Sequence, residues 1–586
     1  MPTPDSPAGI DRRTFMGLCS AAGLSGGRLP SALWRSSAPG LAVDQGTQAP
    51  QVPPKITKDM LIAAETMIGL EFTDAKRDLM LDNVNQALTA YATLRKTTVA
   101  NSVTPALRFD PLFPGLKSLP RAIRRPAGRI GAARRPAAGS RPDSDGELAF
   151  LTVAKLGALL RAGTVTSMEL TRLSLERFRR FDGELLSVVT LTEERAVEQA
   201  RKADLELKRG KSRGPLHGIP WGAKDLLSVP GYPTTWGSPI FKDQMLSETA
   251  TVVERLDAAG AVLVAKLSLG EFAQGDVWYG GTTKNPWKTD QGSSGSSAGP
   301  ASATAAGCVA FAIGSETQGS IVSPSTRCGV TGFRPTFGRV SRNGAMALSW
   351  SMDKLGPLCR SATDCALVFG AIYGPDGKDP TVQDRPFDWS PARGLAGIRV
   401  GYLQAAFDAE HATKVFDSKA LEVLAGMGVT LIPMELPADL PTGGLRIILT
   451  AEAAAAFDEV TRSGKDDQMV QQTRNAWPNT FRTARFIPAV EYIQANRIRT
   501  LLMQKFDDFM QPVDLFVTPS FASNLIQITN LTGHPALVVP NGFNPDGTPV
   551  SLSFIGRLFG EADLLTAGEA YQAATDFHLR RPQKFA

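Results

Sequence analysis

The stretch Gln291–Gly307, QGSSGSSAGPASATAAG, holds five serines among four glycines and ends in a run of small residues. A Gly/Ser-rich run of this kind is typical of a flexible loop or linker. It also offers several hydroxyl groups at positions where small neighbours let the backbone come close to other parts of the chain. The residues on either side of the stretch decide between these interpretations.

The flanking sequence predicts an α/β fold. Upstream, Val252–Leu267 reads as a helix, a glycine turn and a buried strand, VVERLDAAGAVLVAKL. The same alternation of helices and short apolar strands continues from about Asp145 to the C-terminus, as a sheet covered by helices requires. The serine-rich stretch therefore lies inside a large α/β domain, which we place at residues 145–586.

One motif inside the stretch offers a rival chemistry. Gly295–Gly299 fits G-x-S-x-G, which in α/β-hydrolases sets a nucleophile, here Ser297, on a turn after a buried strand. His534 and His578 lie downstream and could serve as the base. However, the preceding residues, NPWKTDQGSS, carry proline, glycine and charge where that turn needs a strand. Since the chain has only four histidines, a lysine made neutral by burial is an alternative base.

Length and composition describe an ordinary globular protein with an unusual basic segment. The chain has 586 residues, 43% hydrophobic and 20% charged, with a formal charge of +6. Eight basic residues without any acid lie within 116–141, and the remaining chain would be slightly acidic. We interpret residues 98–144 as a solvated linker rich in Pro, Gly and Ala and predict no nucleic-acid partner, although such a segment could also touch phosphate or an anionic membrane.

The N-terminal residues resemble an export signal. Arg12 and Arg13 precede a short apolar run, and Gly40–Ala42 fits a small-residue cleavage site, so we predict a twin-arginine signal over residues 1–42, followed by a linker over 43–54. This predicts a periplasmic or secreted protein, with the cytoplasm as the alternative. No segment reaches 18 apolar residues, so we expect no stable membrane insertion.

Two further features concern helices and thiols. Residues 55–97 contain two segments in which apolar residues recur with helical periodicity, which predicts a helical hairpin ahead of the α/β domain. Cys308, Cys328, Cys359 and Cys365 form no C-x-x-C pair, and H-E-x-x-H is absent, so we expect no metal and no cofactor. Whether these four cysteines form disulfides is left open by the sequence.

Four ordered motifs, with two further segments downstream of them, make the chain similar to a known family. From Asp145 onward it resembles the amidase signature family, which implies a central mixed β-sheet covered by helices on both faces. The residues that carry this resemblance are GSSAGPASATAAG within the serine-rich stretch, HGIPWGAKDLLSVPG upstream of it, and AIGSETQGSIVSP, GFRPTFGRVSRNG, SMDKLGPLCRSATD and NLTGHPALVVPNGF downstream.

The resemblance implies a Ser-Ser-Lys relay. The family's lysine corresponds to Lys224 and its nucleophile to Ser320, while the bridging serine, 24 residues before the nucleophile in the family pattern, is Ser296 on a cis Gly295-Ser296 peptide. The implied oxyanion hole consists of backbone N–H groups from Thr317, Gln318, Gly319 and Ser320. Ser320 would attack an amide carbonyl and pass its proton through Ser296 to neutral Lys224.

The resemblance leaves the substrate and the partners open. Many members that act on acidic amides carry arginine two residues after the nucleophile, where this chain has Val322, so a neutral small-molecule or peptide amide is expected. The hairpin is similar to the small C subunit of the tRNA-dependent amidotransferase, or is an ordinary packed hairpin. The function hypotheses are a stand-alone amide hydrolase, a glutamine-hydrolysing A-type component of that amidotransferase, and an inactive scaffold. A homodimer is also left open.

Overall fold

A computed structural model describes residues 56–97, 139–390, 395, 397–438, 442 and 444–586. The predicted export signal, the linker after it and the basic linker up to residue 138 lie outside the described residues. All described residues belong to one compact unit. Within them, no helix combines the length and the apolar character that crossing a membrane would need.

The predicted helical hairpin is present. It consists of α1 (Lys58–Ile68) and α2 (Asp74–Arg95). Each helix begins after a threonine, Thr57 or Thr73, whose hydroxyl accepts a backbone N–H from the first turn. A buried ion pair between Arg77 and Glu65, 2.7 Å long, joins the two helices.

The α/β domain contains helices between its strands, as the alternating pattern predicts, but residues 446–510 form four successive α-helices without a strand between them. In chain order the α-helices of this domain are α3 (Asp145–Ala149), α4 (Val153–Ala162), α5 (Ser167–Leu185), α6 (Glu193–Lys208), α7 (Thr251–Ala258), α8 (Ala298–Ala305), α9 (Val322–Cys328), α10 (Ala362–Ile372), α11 (Gln404–Asp408), α12 (Lys414–Gly426), α13 (Arg446–Ala456), α14 (Asp458–Arg462), α15 (Trp477–Ala484), α16 (Ala489–Met510), α17 (Leu525–Thr532) and α18 (Glu561–Ala574).

Eleven strands of the described residues form one mixed sheet, as predicted. The strands are β1 (Val188–Leu191), β2 (Pro220–Lys224), β3 (Val262–Leu267), β8 (Phe311–Glu316), β9 (Thr331–Arg334), β10 (Lys354–Cys359), β11 (Arg399–Leu403), β12 (Thr430–Met434), β13 (Leu515–Pro519), β14 (Ala536–Phe543) and β15 (Pro549–Gly556). Two small hairpins lie outside the sheet and consist of β4 (Val277–Trp278), β5 (Gly281–Thr282), β6 (Lys284–Asn285) and β7 (Lys288–Gly292).

The strand order of the sheet is β1-β3-β2-β8-β10-β9-β14-β15-β13-β11-β12. β2 is parallel to both β3 and β8, whereas β8 is antiparallel to β10. Every residue of β2, β3, β8 and β10 is buried, so helices and loops cover both faces of this half of the sheet. Because β2 and β8 run in parallel, their C-terminal residues, Lys224 and Glu316, end at the same edge of the sheet.

The hairpin packs on the α/β domain through helices α15 and α16. Arg95 pairs with Glu491 on α16, and Asn479 on α15 donates to the carbonyl of Leu79 at 2.9 Å. Tyr91 and Leu94 are buried and belong to the main hydrophobic core. The hairpin therefore shares apolar core with the α/β domain and is not held by surface contacts alone.

Candidate active site

Lys224 lies at the C-terminal end of β2 and is completely buried. Its Nζ is 2.8 Å from Ser296 Oγ, 2.8 Å from Ser315 Oγ and 3.2 Å from Ser297 Oγ. Burial lowers the pKa of the Lys224 amine well below its usual value, although the carboxylates of Asp353 and Glu316 oppose the shift. The environment thus favours the unprotonated amine that a general base requires.

The serine-rich stretch brings Ser296 and Ser297 to Lys224. Both precede α8, and the Gly295-Ser296 peptide bond is cis, as the family resemblance implies. A Cβ at position 295 would lie 1.8 Å from the carbonyl oxygen of Gly275, so only glycine fits there. Ser293 directs its hydroxyl to the carbonyl of Ser294 and takes no part in the Lys224 cluster.

Ser320 lies in the turn that connects β8 to α9. The backbone N–H of Ser297 donates to the carbonyl oxygen of Ser320 at 3.2 Å, which brings this turn against the relay serines. Gly319 has a φ of +106°, a backbone conformation that favours glycine.

The same turn presents four backbone donors. Among the described residues, no oxygen accepts a hydrogen bond from the N–H groups of Thr317, Gln318, Gly319 or Ser320. These groups keep their hydrogen-bonding capacity beside a half-buried serine hydroxyl, which is the arrangement that stabilising an oxyanion requires.

A buried carboxylate anchors this turn. Glu316, at the end of β8, accepts the N–H groups of Ile321 and Val322 at 2.8 and 2.9 Å. Its other oxygen binds the Arg334 guanidinium and the Asn530 amide. Burial acts to raise the pKa of Glu316, but the Arg334 charge and these hydrogen bonds outweigh it and lower the pKa to about 2.

Asp353 connects the turn of residues 317–320 to the backbone at Leu348 and Ser349. Its Oδ1 accepts the Thr317 hydroxyl at 2.6 Å, and its Oδ2 accepts the N–H groups of Leu348 and Ser349 at 2.8 and 2.9 Å. Burial raises the pKa of this carboxyl. Asp353 therefore positions Thr317 and contributes negative charge near Lys224.

The structure also places the residues of the histidine alternative. Ser297 Oγ hydrogen-bonds to Lys224 and to the backbone of Ser315. His534 instead bonds the Thr532 hydroxyl at 2.8 Å, and burial lowers the pKa of its ring to about 3. His578 lies near the C-terminus in a different cavity. The nucleophile turn with a histidine base is therefore not assembled in the described part of the chain.

Three participants were missed by the sequence analysis: Ser315, Glu316 and Asp353. Ser315 and Glu316 carried a usable signal, since both are polar residues at the end of the apolar strand sequence FAIGSE. A polar side chain on a fully buried strand needs a partner. The partner of Ser315 is Lys224 on the neighbouring strand β2, and the partners of Glu316 are Arg334 on β9 and Asn530 on α17. Asp353 offered no comparable signal, because its link to the site, the hydrogen bond from Thr317, joins segments 36 residues apart.

A cavity of about 1250 Å³ opens next to these groups. Ser315, Thr317 and Asp353 lie in its wall, and most of the remaining wall is apolar, including Leu226, Phe337, Met346, Leu348, Trp350, Leu355, Met503, Leu531 and Phe559. Ile321 and Val322 are buried in the core and do not form this wall, whereas Trp350 is 51% exposed and does.

Two arginines of the cavity wall already have polar partners. Arg342 pairs with Asp379 at 3.2 Å. Arg499 donates to the hydroxyl and carbonyl of Ser351, and the Ser351 hydroxyl in turn donates to Glu452 at 2.7 Å. The positive charges of Arg342 and Arg499 are thus compensated within the protein. The wall also contains Lys378, which pairs with Glu254 at 3.0 Å, and Arg385, whose guanidinium carbon lies 5.3 Å from the centroid of the Phe559 ring.

All four downstream cysteines are buried free thiols. Burial raises the pKa of Cys308 to about 12, so this thiol stays protonated and behaves as a small apolar side chain. The disulfide alternative is not realised in the structure.

Comparisons with known proteins identify the family of the chain. The sequence profile of the family described as Amidase matches residues 169–529. Relatives named as the A component of glutamyl-tRNA(Gln) amidotransferase are 37% identical in Chloroflexus aggregans, over 74% of this chain and 99% of the relative, and 36% identical in Moorella thermoacetica, over 75% and 99%.

Solved structures give the same result for the fold. The native peptide amidase from Stenotrophomonas maltophilia is 29% identical with a TM-score of 0.66, over 73% of this chain and 97% of that chain. A chain from a vestigial protein complex that reveals the origins of an s-triazine catabolic enzyme is 28% identical with a TM-score of 0.67, over 72% and 98%. With a family profile across most of the α/β domain and relatives matched over almost their whole length, the chain belongs to the amidase signature family.

Proposed function

We propose that this protein hydrolyses a carboxylic amide through an acyl-enzyme on Ser320. The observation that carries the proposal is the 2.8 Å contact between the buried Lys224 amine and Ser296 Oγ, beside the turn that holds Ser320. An unprotonated amine, a bridging hydroxyl and a half-buried serine in this order form a path for one proton. Serine needs such a path because its hydroxyl is a weak nucleophile.

The proposed reaction runs in two halves. As Ser320 Oγ bonds to the amide carbon, its proton moves to Ser296 while the Ser296 proton moves to Lys224. The backbone N–H groups of residues 317–320 stabilise the oxyanion. Collapse breaks the carbon–nitrogen bond, and the reverse transfer from Lys224 through Ser296 protonates the departing amine. Water then attacks the ester as its proton passes through Ser296 to Lys224. When the bond to Ser320 Oγ breaks, this proton returns through Ser296 to Ser320 Oγ, and the acid leaves and ionises to the carboxylate.

We propose a neutral, apolar acyl group as the preferred substrate. The cavity beside Ser315 and Thr317 is large and mostly apolar. Of its cations, Arg342 and Lys378 pair with carboxylates, Arg499 is hydrogen-bonded to Ser351, and Arg385 lies over the Phe559 ring. Burying one aliphatic or aromatic side chain contributes about 1.5–3 kcal/mol, or roughly ten- to a hundredfold in kcat/KM. We therefore expect aryl or peptide C-terminal amides to react faster than glutamine, asparagine or malonamate.

Active-site labelling tests the nucleophile. A fluorophosphonate is expected to modify the peptide that contains Ser320, and Ser320→Ala is expected to abolish both labelling and amide turnover. Ser293→Ala is the matched control from the serine-rich stretch and should keep near-normal turnover, because its hydroxyl bonds only locally. Label on Ser297 instead would refute the relay.

A second candidate is the glutamine-hydrolysing A-type component of a tRNA-dependent amidotransferase. The sequence relatives support it more directly than they support a stand-alone hydrolase, because those cited above carry that component's name. The two candidates share the chemistry and differ in substrate and partners. The second candidate would replace the first if kcat/KM for glutamine exceeded that for apolar amides by tenfold or more. Activity should then also rise when glutamyl-tRNA and a B-type component are added.

Export is part of the first candidate, since it would separate the enzyme from aminoacyl-tRNA. We propose that residues 1–42 direct twin-arginine transport. A reporter fused to residues 1–49 is expected to cross the membrane, and replacing both Arg12 and Arg13 by lysine is expected to stop it. Cytosolic retention of the unmodified fusion would contradict export and favour the amidotransferase candidate.

A further inference from the structure

A second cavity, of about 330 Å³, lies at the end of the sheet opposite the candidate active site. Helix α8 follows the relay serines at its start, and Thr304 near its last turn lines this cavity. Likewise, β10 begins after Asp353 and ends before Arg360, another lining residue. A strand of this length spans about 20 Å. The cavity is therefore separate from the site that holds Lys224.

The second cavity is strongly basic. Lys155, Arg360, Arg580 and Arg581 line it, and Glu147 is the acidic residue among the described lining residues. Arg580 pairs with Asp576 at 2.7 Å. In the part of the chain that the structure describes, no carboxylate forms a salt bridge with the other three cations, although buried Asp364 acts on Arg360 from a greater distance.

Two of these cations share one aromatic neighbour. The guanidinium carbons of Arg360 and Arg581 lie 5.5 and 5.3 Å from the centroid of the Phe150 ring. Phe150 also lines the cavity, so it holds both charges at the same wall. Lys155 and Arg580 are exposed and Arg581 is half-buried, so an anion that enters the cavity meets these solvated charges as well as the buried Arg360.

The wall also contains buried polar atoms without partners. Arg360 is only 8% exposed, and its terminal nitrogens donate to the carbonyls of Thr304, Val309 and Ala310, which leaves Nε without an acceptor. Thr304 is fully buried, and its hydroxyl has no hydrogen-bond partner. The Nδ1 atom of His578 is also unpartnered. These three polar atoms at one small basic cavity offer hydrogen-bonding capacity to a small ligand, since polar atoms are costly to bury without a partner.

We propose that this cavity binds a small oxyanion that carries a carboxylate or a phosphate group. Arg360 Nε and the Thr304 hydroxyl donate to the anion oxygens, and Lys155 and Arg581 supply the compensating charge. Guanidinium groups suit both oxyanions, since their planar N–H groups match carboxylate and phosphate oxygens. The site is independent of the proposed amide hydrolysis and uses none of its residues.

Calorimetric titration of the full chain tests the site with two probes, inorganic phosphate and succinate, in buffers matched with KCl for ionic strength. At least one probe is expected to bind saturably with one equivalent per chain, and the tighter probe identifies the chemical class. The double variant Lys155→Gln with Arg581→Gln should weaken that binding at least tenfold. These side chains are partly or largely exposed, so the fold should persist.

Two further variants complete the test. Thr304→Val preserves the side-chain shape, removes the donor and is expected to weaken binding, whereas Lys211→Gln removes an exposed cation elsewhere and is expected to leave binding unchanged. Amide turnover should remain normal in all these variants. Absence of saturable binding for both probes, or equal affinity in the double variant and the wild type, would overturn the proposal.

Discussion

At the scale of single residues, Lys224 is the group whose environment most strongly affects the proposed chemistry. Burial lowers the pKa of its amine well below the ordinary value. The amine acts as a base only when unprotonated, so kcat/KM should rise with pH through this lowered pKa and level off above it. The measurement is a pH–rate profile for one neutral amide substrate.

Substitution of Lys224 complements that profile. Lys224→Ala is expected to lower turnover by roughly 100- to 10,000-fold, the usual contribution of a general base. His578→Ala serves as the control, because this histidine lies far from the relay and should leave turnover nearly unchanged. Loss of turnover in the folded histidine variant would argue for a histidine base and against Lys224.

Asp353 provides a second prediction at this scale. Asp353→Asn removes a negative charge that raises the pKa of Lys224, so the rising limb of the pH–rate profile should shift to lower pH. The amide also cannot accept all the hydrogen bonds that the carboxylate accepts from Thr317, Leu348 and Ser349. We therefore expect kcat to fall by up to about 100-fold, because the turn of residues 317–320 is held less firmly.

The effects on positioning and on charge can be separated. Thr317→Val removes the hydroxyl that binds Asp353 but keeps the carboxylate and the backbone N–H of residue 317. This variant is expected to lower kcat without shifting the rising limb of the pH–rate profile. If the rising limb of the pH–rate profile stayed at the same pH in Asp353→Asn, the effect of the Asp353 charge on the pKa of Lys224 would be contradicted.

At the scale of elements, the end of β8 and the start of α9 depend on the buried pair of Glu316 and Arg334. Glu316→Gln leaves Arg334 without its countercharge, and breaking a buried pair in this way costs about 3–5 kcal/mol in the free energy of unfolding. Chemical denaturation measures this loss. Glu422→Gln, which breaks the exposed pair with Lys419, is the control and should change little.

The same pair predicts that the free energy of unfolding decreases in acid. The folded-state pKa of Glu316, about 2, lies below the usual glutamate value of about 4.3. The resulting stabilisation is fully present above the unfolded-state pKa and is lost as the pH falls from about 4.3 towards 2. Glu316→Gln should lack this contribution, so its stability should fall less steeply than that of the wild type over this range.

At the scale of the whole molecule, the helical hairpin is predicted to unfold together with the α/β domain. Leu94 is 2% exposed and packs into the main core, so Leu94→Ala should lower the free energy of unfolding by about 2–5 kcal/mol. Circular dichroism and tryptophan fluorescence should report one common transition. Met67→Ala, at an exposed position, should leave stability unchanged; a separate early transition would show that the hairpin folds independently.

The sequence alone determined the features that depend on local pattern. The alternation of helix and strand predicted an α/β fold, and helical periodicity predicted the hairpin. The family resemblance carried by the ordered motifs implied the mixed sheet and a site containing Lys224, Ser296 and Ser320. The structure brings Lys224 and Ser296 within hydrogen-bond distance and the Ser320 turn against them. Short-range conformational preferences and motif spacing are already present in the linear chain.

Only the tertiary structure decided what depends on contacts between distant segments. β10 lies between β8 and β9 in the sheet, and this order brings Asp353 to Thr317. The sequence suggested that Val322 borders the substrate, yet the start of α9 turns this residue into the core, and the cavity wall comes from other segments. The composition of a cavity follows from which elements pack together, and packing partners far apart in sequence leave no local pattern from which to predict them.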